Sequence, residues 1–457
     1  MFTDIKIIHH LEDSYGQVIS DAQQRARLVQ LSASYGGKGA VLSLMAQYYG
    51  HLVPRGILIP ASEFGRYSIE AGLKPILTEI ERETDFSNEG QVLEASEFIK
   101  GHMLGKISVN TEGFEIYKNS VLRWIDRYTL YAVRSSAIGE DGLENSFAGQ
   151  HTTILGSKKE DILTNILTCW ASLFNPEAMV YRKRTGGSIL DASMGVVIQN
   201  LLANPTFSGV LFTQDPTGNL DEDYMVVEVI RGLGEDLVSG IESPTMVAFT
   251  HGEGSYKPTL FHQGSQNYTR YIDFDKGKVV ASASSILEED LPLPYLGQIG
   301  HELQIRLPFE KQGPLDIEWA YQKNGDIFLL QARPLTVQAR PKSEKVKSSP
   351  TDHRLTGKAA SRGKVTGRAW ILDQGDEPWE NEPFILVATM TKPEYLSLMM
   401  RADGFVTERG GMTCHAAIVA RELNKPCVVG VKDLLKEVKT GMMIEVDGDN
   451  GTVRIVE

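Results

Sequence analysis

Hydrophobic and polar positions change period several times along this chain, most sharply between Gly404 and Gly430. Gly404-Phe-Val-Thr407 is a short apolar run with strand character, and the pair Gly410-Gly411 breaks it. From His415 onward, Ala416, Val419, Ala420 and Leu423 follow the i, i+3, i+4, i+7 spacing of a helix packed along one face. After the Lys425-Pro426 break, Cys427 to Gly430 reads as a second buried strand. The pattern predicts a strand, glycine turn, helix and strand, with His415 in the first helical turn, exposed beside the glycines. Phe384–Ala388, a helix after Pro393, and closing strands at Met443–Gly448 and the C-terminal Gly-Thr-Val-Arg-Ile-Val extend this into a compact β/α domain of about a hundred residues.

A period of two governs Pro314–Tyr321 and Ile327–Pro334, which flank Asn324-Gly325, the preferred two-residue hairpin turn. That turn would set Glu318 opposite Gln331 and Asp316 opposite Arg333 on a polar face, with Ile317, Trp319 and Leu330 on a buried one. A carboxylate paired with an amide oxygen suits a hard cation such as Mg²⁺, and an arginine one step along suits the phosphate that cation bridges.

Upstream, Ser34-Tyr-Gly-Gly-Lys-Gly-Ala40 is a glycine-rich loop expected to open an apolar helix ending near Gly50, followed by a strand from Val53 to Ile59. Glycines let backbone N–H groups approach phosphate oxygens, and Lys38 adds a mobile charge. Ala61 to Asn119 is amphipathic and mostly helical in pattern. Tyr128–Ala137 is an apolar strand delivering Arg134 and two serines into a polar turn, a combination suited to phosphate. Between Val337 and His353 the pattern lapses into a polar, lysine-containing linker.

Composition narrows the function classes. A formal net charge of −13 argues against a nucleic-acid or anionic-membrane surface, either of which would need a broad positive field. No apolar run is long enough to span a membrane, and the first residues lack the pattern of a signal peptide, so a cytoplasmic protein is expected. Cys169, Cys414 and Cys427 are too scattered for a metal site or disulfide framework and read as reduced thiols.

The run Gly410-Gly-Met-Thr-Cys-His-Ala-Ala-Ile-Val-Ala-Arg-Glu-Leu423 closely resembles the phosphohistidine motif of the phosphoenolpyruvate synthase and pyruvate phosphate dikinase family, with Met412 standing where the synthases commonly have a basic residue. Gly37-Lys-Gly-Ala40, Val133-Arg-Ser-Ser136 with Ser146-Phe-Ala-Gly-Gln150, Glu228-Val-Ile-Arg-Gly-Leu-Gly-Glu235 and Leu315-Asp-Ile-Glu-Trp-Ala320 with Leu329-Leu-Gln-Ala-Arg-Pro334 resemble the same family's ATP-grasp domain. The resemblance implies an α/β and α+β multidomain protein: an ATP-grasp domain at 1–338, a linker at 339–353 and a small swivelling phosphohistidine domain at 354–457. It implies ATP and Mg²⁺ as cofactors. Lys38, Arg134, Gln199, Thr213, Glu228, Glu235 and Arg333 would contact the nucleotide, and Glu318 and Gln331 would hold the metal. His415 would be the nucleophile, assisted by Arg333 and Arg134. It would take a pyrophosphoryl group from the β-phosphorus, releasing AMP, and water, or phosphate as in the dikinase, would remove the outer phosphate. The pyruvate-binding barrel of the synthases is not among these residues. Three expectations about the acceptor stay open: a site on a separately encoded subunit, a small molecule in an internal cleft, or a nucleotide-sensing interaction protein without turnover.

Overall fold

The computed structural model describes residues 6–7, 21–105, 118–139, 141–142, 145–146, 151–218, 220–252, 255–310, 312–335, 354–372 and 383–456. The expected linker and Phe147 to Gln150 lie outside them. The described residues form a mixed α/β structure organised on three large sheets.

A five-stranded antiparallel sheet runs Lys6–Ile7, Gly56–Ile59, Met194–Asn200, Tyr131–Ala137, Thr153–Ser157. Helices Ala61–Glu70, Leu73–Glu83, Glu89–Gly105 and Ile162–Ala171 close one of its faces through a core around Trp170, Phe174 and Ile99. The glycine-rich loop does not start a helix. It interrupts one, Asp21–Tyr49, at Gly36 with φ 76°. The reason is contact: a Cβ at Gly36 would fall 2.0 Å from the Ser136 carbonyl oxygen, and the Gly39 N–H donates to Ser136 Oγ at 3.1 Å. Two stretches singled out for phosphate in the sequence thus pack on each other, which only glycine permits.

The second sheet, six antiparallel strands, runs Ser255–His262, Thr245–Gly252, Tyr224–Arg231, Phe207–Phe212, Leu315–Tyr321, Ile327–Pro334. Val227, Val229, Leu211, Ile317 and Trp319 on one face pack against helices Asp21–Tyr49 and Leu293–Arg306. Val210, Phe212, Val226, Ile230 and Ala248 on the other face meet Met412 from the far end of the chain.

The third sheet has eight strands, in the order Arg354–Thr356, Thr452–Ile455, Met443–Asp447, Lys364–Ile371, Phe384–Ala388, Gly404–Thr407, Cys427–Val429, Lys358–Ser361. Lys364–Ile371, Phe384–Ala388, Gly404–Thr407 and Cys427–Val429 are mutually parallel, and burial on both faces explains the apolar runs of the sequence. Helix His415–Glu422 buries Ala416, Val419 and Ala420, as its periodicity predicts, and also Ala417, while Leu423 is partly buried.

The hairpin carries two corrections. Its tip pairs Tyr321 with Ile327, and the Gln322 N–H donates to Asp326 O at 2.9 Å, so the loop is the three residues Lys323, Asn324 and Gly325, with Gly325 at φ 96°. That shifts the register by one, and a bulge between Glu318 and Trp319 shifts it back. Glu318 therefore faces Gln331, and Asp316 faces Arg333, as expected. The extra residue is Leu330, which turns to the polar face while Leu329 fills the core in its place.

All three cysteines are buried and free. Among the described residues no helix is long and apolar enough to cross a membrane.

Candidate active site

A cavity of about 490 Å³ opens between the first two sheets and the loops at the C-terminal ends of the third sheet's parallel strands. Parallel strands gather functional loops at those ends. Lys38, Arg134, Gln199, Glu235, Glu318, Gln331 and Arg333 line one side, and Thr391, Lys392, His415 and Ile418 line the other. Lys38, Arg134, Arg333 and Lys392 outnumber Glu235 and Glu318, so the lining is net positive on an acidic chain and suits an anion.

Arg134 is the hub. Its Nη2 donates to Glu318 Oε2 at 3.1 Å and Gln331 Oε1 at 2.8 Å, and its Nη1 donates to the Leu330 carbonyl at 2.6 Å and more weakly to Gln199 Oε1 at 3.5 Å. The bulge supplies that carbonyl. One guanidinium nitrogen reaches both Glu318 and Gln331, so these two oxygens lie close together, and a carboxylate beside an amide oxygen could hold a hard cation such as Mg²⁺. Arg333 is held by Asp316, with Nε and Nη2 at 3.0 and 2.8 Å from Oδ2. Glu235 opens a short helix at the rim and pairs with Lys278 at 3.2 Å.

His415 is not exposed as expected; it is buried, with 9% of its surface accessible. Burial pushes its pKa down to about 4, so the ring is neutral near pH 7. Nδ1 lies 3.0 Å from Thr391 Oγ1. His151, also lining the cavity, is pushed down to about 3 by burial, with the Lys38 charge adding to the effect.

Two expected nucleotide contacts lie outside this lining. Thr213 Oγ1 accepts the Leu315 N–H at 2.8 Å and fastens one strand to the next. Glu228 is turned to the segment ahead of His415, accepting the N–H of Met412 at 2.8 Å and both the N–H and hydroxyl of Thr413 at 3.2 and 3.1 Å. Met412, which stands where the synthases commonly have a basic residue, packs on the second sheet. Sequence reasoning missed Thr391, Lys392 and His151. A usable signal existed for the first two, since Thr391-Lys-Pro393 follows Phe384–Ala388, the parallel neighbour of the strand leading to His415.

The AMP/ATP-binding domain of pyruvate phosphate dikinase matches residues 32–353, and the mobile domain of PEP-utilising enzymes matches 380–451. A probable phosphoenolpyruvate synthase of Methanothermobacter thermautotrophicus is 33% identical over 432 residues, covering 92% of this chain and 61% of the relative. The phosphoenolpyruvate synthases of Pyrococcus furiosus, 33% identical over 74% of this chain and 42% of its own length, and of Helicobacter pylori, 30% identical over 92% and 56%, are similar in the same way. The chain therefore spans roughly half the length of these curated relatives. With a nucleotide-domain match over most of its length and the mobile-domain match beyond it, the chain belongs to the pyruvate phosphate dikinase family.

Proposed function

We propose that this chain catalyses the nucleotide half of a phosphoenolpyruvate synthase-type phosphotransfer, from an ATP-grasp domain at 1–338, through a linker at 339–353, to a swivelling phosphohistidine domain at 354–457. The observation that carries this reading is one net-positive cavity holding both a buried neutral histidine and the Arg134, Glu318, Gln331 and Arg333 group.

His415 Nδ1 lies 3.0 Å from Thr391 Oγ1; in the tautomer protonated at Nδ1, that N–H donates to Thr391 and the Nε2 lone pair is the nucleophile. That lone pair attacks the β-phosphorus of ATP, the bond from this phosphorus to the α–β bridging oxygen breaks, and AMP departs with the electron pair. Lys38, Arg134 and Arg333 spread the charge on the transferring group. Arg134 must exchange part of its contact with Glu318 and Gln331 for phosphate as the nucleotide enters. Glu318 and Gln331 would hold Mg²⁺, which would supply charge neutralisation for the phosphates. Water then cleaves the outer phosphate, leaving phosphohistidine for an acceptor. The acceptor is pyruvate or another small molecule, bound on a partner subunit or in an internal cleft.

The test is incubation with ATP labelled at the β-phosphate. Acid-labile, base-stable label should accumulate at His415 and be absent from His415→Ala, whose ATP affinity stays near normal. Label in that variant would assign the nucleophile elsewhere.

A further inference from the structure

We propose that Glu228 is the positioning residue for His415, a receptor whose carboxylate grips the turn carrying the histidine and fixes where the ring enters the cavity. The inference deepens the phosphotransfer reading and rests on it for its catalytic consequence, but not for its geometry.

Glu228 lies on strand Tyr224–Arg231 and shares a face with Val226 and Ile230, among the apolar residues Val210, Phe212, Leu237 and Ala248. Its own accessible surface is 0%. A carboxylate in such surroundings is costly unless donors surround it. The described donors come from the C-terminal part of the chain: the Met412 and Thr413 N–H groups, the Thr413 hydroxyl, and the Lys358 ammonium at 3.7 Å. Lys358 also donates to the Pro244 carbonyl at 2.9 Å. The second sheet's face is thus complete only when the turn is seated on it.

Sterics on both sides fit a closely made joint. A Cβ on Gly411 would fall 2.5 and 2.6 Å from the two Glu228 carboxylate oxygens, and one on Gly240 would come within 3.0 Å of Cys414 Cβ. The seat is also in register with the cation-binding pair. Gln331 faces Glu318, Glu318 faces Val210, and Val210 faces Glu228, so all four stand in one row across the sheet. At roughly 4.8 Å between neighbouring strands, Glu318 and Glu228 are about 10 Å apart along a rigid row. Thr413, bonded to Glu228, is two residues before His415. The sheet therefore measures the distance from the docked turn to Glu318 and Gln331, and a seat misplaced by even about 1 Å would slow transfer sharply.

Two readouts test this on the whole chain. In single-turnover labelling, Glu228→Ala should lower the maximal rate of His415 phosphorylation by roughly tenfold or more, the scale expected for losing hydrogen bonds to a buried charge, with the ATP concentration for half-maximal rate within about twofold. Glu228→Gln, which keeps shape but offers one acceptor oxygen, should fall between. Thr413→Ala should be non-additive with Glu228→Ala. In hydrogen exchange without nucleotide, the Met412 and Thr413 amides should exchange faster in Glu228→Ala than in the wild type, while the core of helix His415–Glu422 keeps its protection. Weakened ATP binding, or wild-type labelling and exchange in Glu228→Ala, would overturn the assignment. If the wild type takes no label, the phosphotransfer reading fails, and the exchange measurement alone decides whether Glu228 seats the turn.

Discussion

Glu318 and Glu228 stand in the same row of the same sheet, two strands apart, and meet different surroundings. Glu318 keeps 27% of its side chain accessible at the cavity and is held by Arg134. Glu228 has none accessible and is held by the turn before the histidine. Each has a partner 184 residues away, so sequence separation is not what distinguishes them. The difference lies in the second partner. Glu318 has Gln331 across a hairpin, which local pairing fixes, whereas the Glu228 partners arrive from another sheet. A carboxylate that shares its strand pair with an amide can serve a ligand. One sealed among apolar residues by foreign N–H groups serves an interface.

That contrast can be broken in descending order of effect. His415→Ala removes the group on which both ends of the row converge and should abolish phosphohistidine. Arg134→Ala or Glu318→Ala should slow AMP formation by about a hundredfold, the usual cost of losing a charge that acts on a transferring phosphoryl group, while leaving the Met412 and Thr413 amides as protected as before. Faster exchange there would mean that the two ends of the row are not separable.

Acidity gives a smaller, graded effect. The folded pKa of His415, about 4, lies below its ordinary 6.5. As pH falls from 6.5 toward 4, the unfolded chain takes up a proton that the folded one refuses, so stability declines through that window and recovers above it. The labelling rate, measured where the protein remains folded, should show no histidine limb near 6.5; a limb there would mean the ring is solvated in the working state. The smallest effect is expected at Trp319, buried on the opposite face of the row, whose indole N–H has no hydrogen-bond partner among the described residues. Trp319→Phe should cost about 1 kcal/mol in denaturant unfolding and leave labelling within twofold.

Legibility in the sequence followed locality. The strand, turn and helix around His415 could be read because periodicity fixes them over short spans, whereas the facing pairs of the hairpin came out as expected only because a bulge cancels the longer turn. The burial of His415 could not, because its cover comes from residues whose approach no local pattern encodes. For the same reason Glu228, set in a glycine-rich stretch resembling nucleotide-cleft segments, was expected at ATP. Thr213 was misplaced more simply: a hydroxyl at a strand end near the cleft is equally suited to tying that strand to its neighbour.

The hairpin bulge has a consequence for descent. Leu330 is an extra residue between two sets of matched pairs, and the three-residue tip is one longer than the turn favoured by Asn-Gly. Deleting one residue at either place can leave Glu318 facing Gln331 and Asp316 facing Arg333. Loss of Leu330 would cost mainly the carbonyl that Arg134 uses. The spacing between the two strands' functional residues is therefore free to drift by one among relatives while the facing pairs persist, so homologous sites in this hairpin are better matched by cross-strand partner than by counting along the chain.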